Sequence, residues 1–141
     1  MKLRSAVVSF TDDEINKILK KQDLPVSSVI VRSADGLMAV RVRKGISFRF
    51  TIAFGADGRH LTATVDAGAI ANPIASMLLK RIAEAASDWG LSLCGRTLVF
   101  DPQQALVRAG LAGEFRVEKT AVGAGEVVFA LEGDLPLDQL V

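Results

Sequence analysis

Ile46-Ser47-Phe48-Arg49-Phe50-Thr51-Ile52-Ala53-Phe54 carries an apolar side chain at every second position. Successive side chains of a strand point to opposite faces, so this alternation predicts a β-strand with one face buried and the other in water. Phe48, Phe50, Ile52 and Phe54 share the inward side, while Ser47, Arg49 and Thr51 share the outward one. The aromatic side and the arginine side are therefore different sides, and the segment belongs to an antiparallel sheet covered on one face.

Working outward, turn signals split the neighbouring sequence into further strands. Residues 26–33 and 37–44 flank Asp35-Gly36, a hairpin dipeptide. Residues 46–54 and 61–66 flank Gly55-Ala56-Asp57-Gly58-Arg59, and residues 114–122 and 126–132 flank Gly123-Ala124-Gly125. Residues 96–100 read as one more short strand.

Three helices are marked by their starts. Thr11-Asp12-Asp13-Glu14 has the spacing of a capping box, with Phe10 and Ile15 placed as a hydrophobic staple. That helix is expected over residues 12–21, stopping before Pro25. Asn72-Pro73 reads as an N-cap followed by proline at the first helical position, opening a long helix that runs to Gly90. Ile74, Leu78, Ile82, Ala85 and Trp89 would form its apolar stripe, with Met77 beside it. Asp101-Pro102 opens a third, short helix that ends at Gly110. The predicted fold is one α+β domain over residues 1–141, a curved antiparallel meander sheet packed on a long amphipathic helix with two shorter helices.

Composition sets limits on function. The chain has 141 residues, half of them hydrophobic, and a formal net charge of +1. That charge exerts no global pull toward nucleic acid or a membrane surface. One cysteine, Cys94, and one histidine, His60, give neither an internal disulfide nor a zinc site. Cys94 sits between leucines and reads as a small buried hydrophobe, and His60 as an exposed turn residue. Glu84 and Asp88 read as a solvated face, and Gly123-Ala124-Gly125 precedes a strand rather than the helix N-terminus that a phosphate cradle needs. With no catalytic constellation, metal pair or cofactor motif, the chain reads as non-enzymatic and cofactor-free. Ala6-Val7-Val8 is too short for a secretory signal, and no apolar run reaches the length of a transmembrane segment. The sequence as given therefore reads as cytoplasmic, or as exported if it is a trimmed piece of a longer protein.

Charge is unevenly spread. Residues 24–56 hold five bases, Arg32, Arg41, Arg43, Lys44 and Arg49, against the single acid Asp35. Residues 111–141 hold six acids against Arg116 and Lys119. The basic patch Arg32, Arg41, Arg43 and Arg49 suits an anionic partner such as a lipid headgroup or a protein surface, or it is paired and solvated across the strands. Nucleic acid fits poorly, because the phenylalanines that would stack bases lie opposite Arg49.

The order of these pieces resembles the tubular lipid-binding (TULIP, BPI/SMP-like) superfamily, especially its small bacterial single-domain members. The resemblance rests on Phe10-Thr11-Asp12-Asp13-Glu14-Ile15-Asn16-Lys17-Ile18-Leu19, the hairpin around Asp35-Gly36, the helix after Asn72-Pro73 and the run from Leu98 through Asp101-Pro102 to Leu106. It implies a bent antiparallel sheet around a long helix, with lipid held between them. The expected function is binding of an apolar or lipid-like ligand in a groove lined by Phe48, Phe50, Phe54, Ile74, Met77, Leu78, Ile82 and Trp89. The alternative is an interaction or scaffold module with a filled core, including a homodimer.

Overall fold

The computed structural model describes residues 2–24, 26–136 and 138. The chain runs β1 (Lys2–Thr11), α1 (Asp12–Lys20), β2 (Ser28–Ala34), β3 (Leu37–Lys44), β4 (Ile46–Asp57), β5 (His60–Asp66), α2 (Gly68–Ala85), a 3-10 turn (Ser87–Trp89), β6 (Leu91–Cys94), β7 (Thr97–Phe100), α3 (Pro102–Arg108), β8 (Glu114–Gly123) and β9 (Glu126–Pro136). The class is α+β with antiparallel strands, as expected. The strands form two sheets rather than one: a six-stranded sheet in the order β2-β3-β4-β5-β7-β6 and a three-stranded sheet in the order β1-β9-β8.

The alternation along β4 acts as read. Phe50 is buried and Phe48, Ile52 and Phe54 are partly buried, while Ser47, Arg49, Thr51 and Ala53 are exposed. Its register carries the pattern sideways, giving inward rows Val31–Val40–Phe50, Val29–Val42–Phe48 and Ser33–Met38–Ile52–Val65. The α2 residues Ala71, Ala75, Leu78 and Leu79 close over this face in one core cluster with Val42, Phe50 and Val65. Beside them Val127 of β9 joins the same cluster. The rings of Phe10, Phe129 and Phe54 meet edge to face, centroids 6.1 and 5.8 Å apart, and link the two sheets.

Two strands escaped the sequence reading. β1 shows in the sequence only the short apolar run Ala6-Val7-Val8, because a bulge between Leu3 and Ser5 breaks its alternation. β6 has only four residues, too few to establish a period. One hairpin is also tighter than predicted. β4 and β5 extend to the pair Asp57–His60, so His60 is a half-buried strand residue rather than an exposed turn residue. Cys94, expected to be buried, is an exposed free thiol at the end of β6.

The long helix differs most. It begins at Gly68, whose amide donates to the Asp66 carboxylate at 3.2 Å, and Pro73 lies inside it. Asn72 is thus a helical residue and not a cap, and its Oδ1 is buried without a partner among the described residues. The charged residues Lys80, Arg81 and Glu84 all fall in the second half of the helix, so it is not an amphipathic rod throughout. Its buried positions are Ala71, Ala75, Leu78, Leu79 and Ala83, a stripe rotated from the predicted one. Three of these are alanines, and small side chains let a helix backbone approach a sheet closely.

The helix α1 follows prediction at its start: the Glu14 amide donates to Thr11 Oγ1 at 3.2 Å, and the Thr11 hydroxyl donates to Glu14 Oε1 at 3.1 Å. It ends at Lys20, and Pro25, the predicted stop, lies outside the described residues. Its inner side covers the edge of β2. The Val31 amide donates to Asn16 Oδ1 at 2.7 Å, and Asn16 Nδ2 donates to the Val31 carbonyl at 3.1 Å. The Ser33 amide donates to Asp12 Oδ2 at 2.8 Å, and the Ser33 carbonyl accepts from the Gly125 amide at 3.0 Å. All four edge groups of Val31 and Ser33 are occupied, which blunts a strand that would otherwise template pairing.

Candidate functional site

The registers of β2, β3 and β4 bring the predicted basic residues onto one outward face. Ile30, Arg41 and Arg49 form one cross-strand row; Arg32, Ala39 and Thr51 form the next; Ser28, Arg43 and Ser47 form a third. Arg32, Arg41, Arg43 and Arg49 are all exposed, Ile30 and Ala39 are exposed between them, and Leu37 is exposed at the hairpin end. A shallow groove of about 430 Å³ runs across this face, lined by Ile30, Arg32, Ala39, Val40, Arg41 and Arg49.

Arg41 and Arg49 lie directly opposite one another. Facing residues of an antiparallel pair hold their Cβ atoms about 5 Å apart, and like charges there cost stability. Among the described residues no acid relieves them: none of the four arginines makes an ion pair or a side-chain hydrogen bond. The cross-strand pairing allowed for from the sequence does not occur on this face.

The acidic end of the chain behaves differently. Arg116 reaches both Glu118 and Glu132, at 3.8 and 3.5 Å, and Lys2 meets Asp134 at 3.4 Å. Arg59 stands 3.9 Å from Asp101. The cavity of about 230 Å³ between Arg59, Gln103, Glu114 and Arg116 is therefore furnished with opposite charges that offset one another locally.

The proposed apolar lining is only partly gathered. Phe50, Leu78 and Ile82 line a small cavity of about 70 Å³ between α2 and the six-stranded sheet, together with Leu24, Val42 and Leu79 among others. Phe48, Phe54 and Ile74 pack against the same core without lining that space. Met77 lies beside Lys44, whose Nζ is 3.9 Å from its Sδ. Trp89 is 47% exposed in the 3-10 turn, with the Arg108 guanidinium 5.6 Å from its ring centroid. It stands outside the cavity.

One lining residue, Leu24, was missed by the sequence reading, whereas Ile82 stands among those expected. Leu24 and Ile82 wall both the small cavity and a wider cleft of about 670 Å³ between α1 and the end of α2, where Ile18, Gln22, Arg81 and Glu84 also lie. Leu24 had no periodic signal, because it sits in the connection after α1. Among the described residues no group of three or more metal-ligating side chains assembles, and no helix is long and apolar enough to cross a membrane. No family model, curated protein or solved structure matches this chain.

Proposed function

We propose that this protein is a non-enzymatic interaction module that binds an acidic, partly apolar protein segment across the outer face of β2–β3–β4. The observation that carries this reading is the facing pair Arg41–Arg49, unpartnered and flanked by Ile30 and Ala39. A guanidinium fork matches a carboxylate in two parallel hydrogen bonds, so a ligand carboxylate between these arginines would turn a repulsive contact into an attractive one. Interleaved Ile30 and Ala39 suit a polypeptide better than a bare anion. Ile30 and Ala39 lie within strands rather than on a protruding tip, which favours a peptide over a membrane surface. The absence of aromatic side chains from these rows disfavours stacked bases.

The test uses a fluorescein-labelled peptide of alternating Glu and Leu. Binding is expected to weaken with salt, because the Debye length falls to about 10 Å at 0.1 M. The double variant Arg41→Gln/Arg49→Gln is expected to lose at least about tenfold in affinity, the equivalent of one charge-assisted contact. Peptide binding that ignores both salt and the double variant sinks the reading. Binding to anionic phosphatidylglycerol vesicles without peptide binding replaces it with a membrane-surface role.

A second reading has its own observation. Leu24 and Ile82 are a shared wall between the cavity and the cleft, so a rotation of these two side chains would join the spaces into a path for an amphiphile. This is the form that the tubular lipid-binding likeness takes as a proposal. The small cavity alone, about 70 Å³, falls well below the roughly 300–1,000 Å³ of ligand pockets, which is why the surface reading ranks first. Solvent extraction and native mass spectrometry of the purified protein test it. A bound amphiphile that disappears in Ile82→Trp supports uptake through the wall.

A further inference from the structure

Four strand edges border the two sheets; one is covered, one is short and one is engaged at its end. The edge of β2 is filled by Asn16, Asp12 and Gly125. The edge of β8 is engaged at one end, where the Val122 carbonyl accepts from the Gly36 amide at 2.9 Å. β6 is four residues long. The outer edge of β1 differs: β9 is the only strand beside it, and no backbone group of β1 bonds to any other element among the described residues.

The hydrogen-bond phase of this edge can be read from the structure. The Asp12 amide donates to the Gly125 carbonyl at 3.0 Å, and the register continues through Phe10–Val127, Val8–Phe129 and Ala6–Leu131. Bonding alternates along an antiparallel strand, so Phe10, Val8 and Ala6 turn their amides and carbonyls toward β9. Ser9, Val7 and Ser5 turn theirs to the open side. Natural edges carry charges, prolines or bulges where pairing must be avoided. Ser5-Ala6-Val7-Val8-Ser9 carries neither a charge nor a proline, its bulge lies earlier at Leu3/Ser5, and Val7 is 73% exposed.

We infer that β1 pairs antiparallel with β1 of a second copy of this chain about a two-fold axis through Val7, joining two three-stranded sheets into one of six. Charge selects this occupant and this direction. Lys2 and Arg4 lie before the neutral stretch, and the acidic first turn Asp12-Asp13-Glu14 lies after it. Antiparallel pairing sets the basic end of each copy beside the acidic turn of the other, whereas parallel pairing would align like charges. In this register Ser5 faces Ser9 of the second copy and Val7 faces Val7, so Ser5, Val7 and Ser9 all use their free backbone groups. α1 packs on β2, where Asn16 and Asp12 bond the backbone of Val31 and Ser33. The inference rests on this edge alone and not on the arginine face, so either can fail without the other.

Sedimentation equilibrium of the full chain is expected to show a concentration-dependent shift from 15.0 kDa toward twice that mass. Val7→Lys is expected to abolish the shift without changing the circular dichroism spectrum. A cysteine pair reads the axis directly. Residues facing each other in a hydrogen-bonded pair have Cα atoms about 5.5 Å apart, within the usual disulfide span. In a Cys94→Ser background, Val7→Cys is expected to form a covalent dimer on mild oxidation, and Ser28→Cys on the distant β2 is not. A monomer at every concentration overturns the inference. So does a dimer that survives Val7→Lys and gives no Val7→Cys cross-link.

Discussion

Asn16 imitates a strand residue: its side-chain amide gives and takes one hydrogen bond each with the backbone of Val31, at 3.1 and 2.7 Å. A helix thereby completes the ladder of the sheet it borders. The same sheet leaves its outward arginines unpaired, so its edge is closed while its outer face stays available.

The Asn16 contact gives a direct stability test. Asn16→Ala is expected to strand a part-buried amide and carbonyl at Val31 and to cost about 1–3 kcal/mol in urea unfolding. Hydrogen exchange should accelerate at the Val31 amide. Asn16→Asp keeps the acceptor but loses the donor, so it should protect that amide better than Asn16→Ala does.

Arg41→Glu should separate stability from binding. It replaces a like-charge facing pair with an opposite one beside Arg49, and such cross-strand pairs contribute about 0.2–1 kcal/mol. The variant is expected to melt slightly higher than the parent in low salt, by differential scanning fluorimetry, while binding the acidic peptide more weakly. A lower melting temperature would mean that the two arginines are not in repulsive contact.

Gly133 has no room for a side chain. A Cβ there would fall against the Glu114 carbonyl and the backbone of Phe115. Because backbone cannot step aside as a flexible side chain can, Gly133→Ala is expected to cost at least about 1–3 kcal/mol, measured by chemical denaturation. Gly123→Ala on the same hairpin meets nothing within 4 Å and serves as the control.

Trp89 is the single tryptophan and sits beneath Arg108, away from the interior. Its fluorescence is expected to stay unchanged when the cavity wall is altered by Ile82→Trp's smaller counterpart, Ile82→Ala. Arg108→Ala should shift it and cost about 0.5–1 kcal/mol at this exposed site. A large emission change in Ile82→Ala would place Trp89 in contact with the core.

What could be read in advance follows from how local each signal is. The parity of β4, the Asp35-Gly36 turn, the Thr11 cap and the Asp101 cap each depend on a few adjacent residues, and each stands where it was expected. β1 was illegible because the bulge beside Arg4 breaks its period. The true start of α2 has Ala67 at the cap position, which supplies no side-chain acceptor, whereas Asn72-Pro73 imitates a cap five residues into the helix. The arginines were legible as a basic stretch, but their lack of partners depends on which strands lie beside them. The same holds for the division into two sheets, which is decided by β1 pairing with β9 across most of the chain.

That last pairing has a consequence for synthesis. Val8 meets Phe129 and Phe10 meets Val127, so a strand made early must wait for one made late. At ribosomal speeds of about 5–20 residues per second, β1 stays unmated for on the order of ten seconds. The β2–β5 meander, whose neighbours follow one another in the chain, can form during that interval. The newborn polypeptide thus carries a sticky ribbon with both borders bare, and nascent-chain chaperones have their best opportunity there.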